Sequence, residues 1–154
     1  MIRILFVCHG NICRSPMAEF VMKKLIFDDG TVDAYVASAA TSTEEIGNPV
    51  HPGTRRRLAM EGIGVDGKYA VQMTKSDYDK YDYIIGMDGI NIRNILRIVG
   101  EDGENKVCKL LSFANREDDI ADPWYTGNFN ETYDDVVAGC KGLLRKLKED
   151  NHEI

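Results

Sequence analysis

The chain begins with an almost unbroken apolar run, Ile2 to Val7, interrupted by Arg3 alone, and passes through a glycine-bearing loop to Ser15-Pro16. A short apolar run without polar alternation suits a strand covered on both faces, and such strands belong to parallel sheets flanked by helices. Ser15-Pro16 reads as a helix start. Ser15 is the expected N-cap and Pro16 the first helical residue, with apolar Met17, Phe20, Val21 and Leu25 following at helical spacing. Strand, tight turn and helix in such quick succession restrict the chain to architectures that alternate the two elements.

The alternation continues. Val32 to Ala40 reads as a second strand, Tyr83 to Met87 as a third and Lys106 to Leu111 as a fourth. Helices are expected at Pro52 to Met60, at Ile90 to Val99 with Ile92, Ile95, Leu96 and Val99 inward, and at Glu131 to Asp150. Ser112 to Asn130, rich in Asp, Asn and Gly, reads as irregular. Right-handed crossovers then predict an α/β fold, a three-layer doubly wound sheet of four parallel strands with helices on both faces, in a single domain over residues 1–154. Ligands of such sheets sit at the carboxyl ends of the strands, where the loop after Val7 falls.

Composition narrows the function. A net charge of -6 argues against nucleic acid and anionic membrane surfaces, which require a basic face. No signal-peptide pattern precedes the first strand and no apolar run approaches the roughly 18 residues needed to span a bilayer, so the cytoplasm is expected. A chain of 154 residues can stand on its core, so its 4 cysteines are expected as free thiols. Two of them fall in VCHGNICRSP, Val7 to Pro16.

Strand, glycine turn and helix N-terminus form a cup of backbone N–H groups whose field favours an anion. Cys8 opens that cup, where the same field would hold it as a thiolate nucleophile. Arg14, at the far side, has a guanidinium that can grip two phosphate oxygens at once. Ser15 can hydrogen-bond the sulfur. The spacing C-x5-R alone is weak, but the strand before it, the Ser-Pro helix start after it and Gly10-Asn11, suited to positive φ, agree with one another. Neither a Walker pattern nor a dinucleotide fingerprint occurs. The loop reads as a phosphoryl-transfer site.

VCHGNICRSPMAE (Val7 to Glu19) resembles the signature of the low-molecular-weight protein tyrosine phosphatases. The resemblance extends to SAAT (Ser38 to Thr41), YDYIIGMD (Tyr81 to Asp88) and DPWYTG (Asp122 to Gly127), in the family's order. It implies Cys8 as nucleophile, Arg14 and the amides of the loop (His9, Gly10, Asn11, Ile12, Cys13) as phosphate clamp, and Asp122 as general acid. It also implies Asn11, Ser15 and Ser38 as the polar network shaping the loop. The expected substrate is a phosphotyrosine-containing protein, the product inorganic phosphate, and no cofactor or metal is implied.

A phosphate ester leaves as an alkoxide or phenoxide unless a proton arrives, so a carboxylic acid must face the thiolate. An isolated Asp-Pro is usually a turn, but Asp122-Pro123 sits in the long segment after the fourth strand, within reach of the carboxyl edge. Trp124 and Tyr125 are expected walls for an aromatic ring. Asp88 is expected either to orient Arg14 or to cap a helix. His9 reads as a rim contact, His51 and His152 as solvated surface groups. Zinc through Cys8 and Cys13 would need two further convergent ligands, which Cys108 and Cys140 do not offer. Arg55, Arg56 and Arg57 read as the wet face of a helix that could attract an acidic partner.

Departures from the family pattern bear on specificity. Lys68 stands where many relatives carry a histidine supporting the loop, and Glu44 and Glu45 stand where relatives put a neutral wall, which disfavours acidic phosphopeptides. Three rival functions remain. An arsenate reductase would carry a further cysteine pair near Gly86, which is absent, and a phosphate-binding module would lack the nucleophile or the acid. A protein arginine phosphatase is the nearer rival, but its bacterial representatives carry threonine where this chain has Ile12. Cys13 has two readings, as a small apolar residue packed under the loop or as a thiol that traps oxidised Cys8 in a disulfide.

Overall fold

A computed structural model of the chain describes residues 1–152, with side chains through residue 150. The elements run β1 (Ile2–Cys8), α1 (Arg14–Asp29), β2 (Ala34–Ala40), α2 (Pro52–Ala59), α3 (Asp77–Lys80), β3 (Tyr83–Gly86), α4 (Gly89–Val99), β4 (Val107–Lys109), α5 (Pro123–Thr126) and α6 (Phe129–His152). The four strands form one sheet in the order β2-β1-β3-β4, and every pair is parallel.

Alternation along β1 separates two cores. Ile4 and Phe6 point into a cluster with Met17, Val21 and Met22 of α1 and Val136, Cys140, Leu143 and Leu147 of α6. Leu5 and Val7 point the other way, against Ile84 of β3 and Ile95 and Val99 of α4. A strand apolar at every position from Ile4 to Val7 is the consequence of helices on both faces, as expected. Each such side chain contributes about 1.5–3 kcal/mol of transfer free energy.

Several boundaries differ from the sequence expectation. Ser15 is not the N-cap of α1: Cys13 holds that position without a side-chain cap, because the Ser15 hydroxyl turns inward to Cys8 and Asn11. Strand β2 starts at Ala34 rather than Val32, and β4 ends at Lys109, giving way to a 3-10 turn over Leu110–Ala114. Asn128 caps α6 by accepting from the Glu131 amide at 3.0 Å, so that helix starts at Phe129. The segment expected to be irregular contains α5, which starts where Asp122 accepts from the Trp124 amide at 3.0 Å and Pro123 fixes the next φ. Helix α3, four polar or half-buried residues, carries no periodic signal and was not expected.

Candidate active site

Strand β1 delivers Cys8 to the carboxyl edge of the sheet, and the chain curls back into α1 through Asn11, whose φ of 57° lies in the left-handed region. Asparagine tolerates that conformation better than most residues. Asn11 is 1% exposed and its amide is fully engaged: Nδ2 donates to Ser15 Oγ at 2.8 Å and to Ser38 Oγ at 2.9 Å, and Oδ1 accepts from the Val71 amide at 3.2 Å. Its backbone N–H donates to Cys8 Sγ at 3.3 Å. Because Ser15 Oγ accepts from Asn11, its hydrogen is available to Cys8 Sγ, 3.0 Å away. Among the described residues, the amides of Gly10, Ile12 and Cys13 donate to no protein acceptor, which leaves them for the oxygens of a bound anion.

The network runs deeper than the sequence indicated. Ser38 Oγ accepts from Asn11 and donates to Glu19 Oε1 at 2.6 Å, and Glu19 is buried at 5% exposure. Its charge is met by Lys23 Nζ at 2.5 Å and Lys68 Nζ at 3.6 Å. Lys68 also donates to the Ser38 carbonyl at 2.8 Å. Burial pulls the Lys68 ammonium below the ordinary lysine range, against the opposing pull of Glu19. Lysine thus supports the loop through Ser38 and Glu19 rather than by touching Asn11. Glu19 lay in the quoted signature with no role attached; a carboxylate amid apolar neighbours was the one signal it gave.

Arg14 is 3% exposed. Nη1 donates to Asp88 Oδ2 at 2.7 Å and to the Ile120 carbonyl at 2.9 Å, and Nη2 lies 3.5 Å from Asp122 Oδ2. Burial opposes its charge, but Cys8, Asp88 and Asp122 outweigh burial and raise it above the usual arginine value. Asp88 fills both expected roles, one oxygen on Arg14 and the other accepting from the Asn91 amide at 2.7 Å to cap α4. The carbonyl of Ile120 gave no sequence signal, since any residue would supply it.

A cavity of about 210 Å³ joins these groups, lined by Cys8, His9, Gly10, Ile12, Cys13, Arg14 and Asp122 with Glu44, Glu45, Trp124 and Tyr125 at its mouth. Trp124 and Tyr125 are 58% and 85% exposed, so neither is a core anchor. His9 is a rim residue, 2.9 Å from Glu44. His51 is not a solvated surface group: its Nδ1 accepts from the Gly53 amide at 3.0 Å, its backbone N–H donates to the Ile12 carbonyl at 2.9 Å, and its ring meets Trp124 edge-on. It therefore ties the loop after Cys8 to the segment carrying Asp122. The side chain of His152 lies outside the described residues.

A cysteine under a cup of free amides, with an arginine fork and a carboxyl group around one cavity at the carboxyl edge of a parallel sheet, defines the class: an enzyme built to handle a phosphate group at sulfur. Comparison with known proteins gives the family. The model of the low molecular weight phosphotyrosine protein phosphatases matches residues 3–153. The low molecular weight protein-tyrosine-phosphatase YfkJ of Bacillus subtilis is 41% identical over 153 residues, covering 97% of this chain and 98% of that one. PtpA of Staphylococcus aureus is 38% identical over 151 residues, covering 97% and 96%. The crystal structure of YfkJ matches with a TM-score of 0.93 at 40% identity over 97% of this chain and 96% of that one. DARP, a Drosophila arginine phosphatase, matches with a TM-score of 0.87 at 28% identity over 96% and 98%. The chain belongs to the low molecular weight protein tyrosine phosphatase family, whose members are hydrolases.

Proposed function

We propose that this phosphatase hydrolyses phosphotyrosine on proteins in two steps, with Cys8 as nucleophile, Arg14 as phosphate clamp and Asp122 as general acid and base. The observation that carries the assignment is the single cavity holding all three side chains. The Cys8 thiolate attacks phosphorus, the bond from phosphorus to the phenolic oxygen breaks, and Asp122 gives its proton to the departing phenoxide. Water then attacks the cysteinyl phosphate, Asp122 takes a proton from that water, and the S–P bond breaks to release inorganic phosphate and the thiolate. Arg14 and the amides of the loop balance charge on the phosphoryl oxygens throughout. The four free cysteines suit a reducing compartment, which supports a cytoplasmic location.

Hydrolysis of phosphoarginine is the competing reading, favoured by the likeness to DARP. Trp124 and Tyr125 at the mouth, with Ile12 in the lining, support an aryl ester instead, because flat apolar walls match a phenyl ring. Peptides carrying phosphotyrosine, phosphoserine or phosphoarginine separate the two. The phosphotyrosine peptide is expected to be turned over at least about 100-fold faster than the others, and Cys8→Ser to abolish turnover. Asp122→Asn is expected to slow phenyl phosphate about 10²–10³-fold but dinitrophenyl phosphate less than about tenfold, since only the poor leaving group needs the proton. Faster turnover of phosphoarginine, or equal slowing of both esters, would remove the corresponding assignment.

A further inference from the structure

The mouth of the cavity is charged asymmetrically. One wall carries Glu44, which is exposed and holds His9 at 2.9 Å, and Glu45, whose side chain lies along Gly10. The other wall is Trp124 and Tyr125, and it continues past Thr126 and Gly127 into a shallow groove of about 370 Å³ against α2. The charged lining of that groove is Arg56 and Arg57, with no carboxylate in it. Arg57 is already engaged, its guanidinium 3.9 Å over the Tyr133 ring and 3.0 Å from Glu61. Arg56 and its neighbour Arg55 are exposed, and among the described residues neither makes an ion pair or a side-chain hydrogen bond. The neighbouring carboxylate of Glu131 accepts from Asn128 Nδ2 at 3.4 Å.

A chain of net charge -6 repels acidic segments in general, so the uncompensated Arg56 in the groove beside the catalytic mouth fixes the side from which an acidic segment can approach, while Arg55 lines a separate cavity with Asp66 and Lys68. We propose that Arg56 forms a docking subsite for acidic residues on one flank of the phosphotyrosine, while Glu44 and Glu45 reject acidic residues on the other flank. The occupant is the substrate's own chain. With its phosphotyrosine in the cavity, an extended segment advances about 3.3 Å per residue, so positions a few residues away run out along both walls. Opposite charges on those walls make the enzyme a reader of charge polarity, selecting sites acidic on one side and neutral or basic on the other. The proposal rests on the phosphotyrosine reading given above.

The test uses three phosphotyrosine peptides: one with three aspartates before the phosphotyrosine and three lysines after it, its mirror, and a neutral one, with p-nitrophenyl phosphate as a substrate too small to reach α2. One charged peptide is expected to exceed its mirror by about tenfold in kcat/KM at low salt, compressed toward unity at high salt. Arg56→Glu is expected to abolish or invert that preference while p-nitrophenyl phosphate changes less than about twofold. Equal kcat/KM for the mirror pair, or a preference that survives Arg56→Glu, overturns the subsite. Failure of the wild type to turn over either the neutral peptide or p-nitrophenyl phosphate overturns the phosphotyrosine reading, and the subsite with it.

Discussion

Cys8 receives the Asn11 amide and faces the Ser15 hydroxyl at 3.0 Å, and Cys13, five positions on, is as deeply buried at 4% exposure. Burial, with Cys8 and Asp122 adding repulsion, pushes the Cys13 thiol up to about 12. At pH 7 about one Cys13 side chain in 10⁵ is then ionised. A disulfide with peroxide-oxidised Cys8 forms when the Cys13 thiolate attacks the sulfenic sulfur and expels hydroxide, so its rate follows that fraction. After a peroxide pulse, mass spectrometry should find the Cys8–Cys13 link rising about tenfold per pH unit between pH 7 and 9, and none in Cys13→Ser. Absence of the link across that range would leave Cys13 as packing alone. The motifs made Cys8, Arg14, Ser15 and Asp122 legible as candidates in the sequence, but the burial that raises the Cys13 thiol was not. Glu19 was hidden, and Lys68 was noticed only through the resemblance, because residues 19, 38 and 68 meet only once α1 and the loop before Ala70 have docked on β2.

Helix α6 shows how elements, rather than motifs, hold the site's frame. Gly142 faces the backbone of the 3-10 turn after β4 so closely that an added Cβ would stand 2.1 Å from the Phe113 carbonyl oxygen. Alanine in a helix interior ordinarily gains about 1 kcal/mol over glycine. Here the opposing atom is backbone, no rotamer relieves it, and overpacking of about 1–3 kcal/mol or more wins. Gly142→Ala is expected to lower Tm by several degrees in a calorimetric scan; an unchanged or raised Tm would mean the turn yields freely. Periodicity exposed the four strands and the long helices because each buries a face. It missed α3 and α5, which have no apolar stripe: α5 is capped by the Asp122 side chain, and in α3 the Asp77 carboxylate accepts from the Thr74 amide in the preceding turn.

Across the whole molecule, buried thiols set an alkaline limit. Burial raises Cys13 to about 12, Cys108 to about 11 and Cys140 further, each from 9.0. Above pH 9 the unfolded chain releases these protons while the folded one keeps them, so stability falls as pH rises through the window from about 9 to 12. Below pH 9 both states hold the protons and the contribution is intact. Urea midpoints are expected to stay level from pH 7 to 8.5 with respect to these groups and to drop beyond, less steeply in Cys108→Ala. A midpoint level through pH 10.5 would exclude the thiols as the cause.

The parallel sheet gathers partners distant in the chain: Arg14 reaches Asp88 across 74 positions and Asp122 across 108. No short-range piece of this fold holds a working site. During synthesis at about 5–20 residues per second, Cys8 therefore waits roughly 5–20 s for Asp122 to be made. The thiol is the first of these groups to exist, so a ribosome-bound or truncated chain carries Cys8 before Asp88 and Asp122 can close the cavity around it.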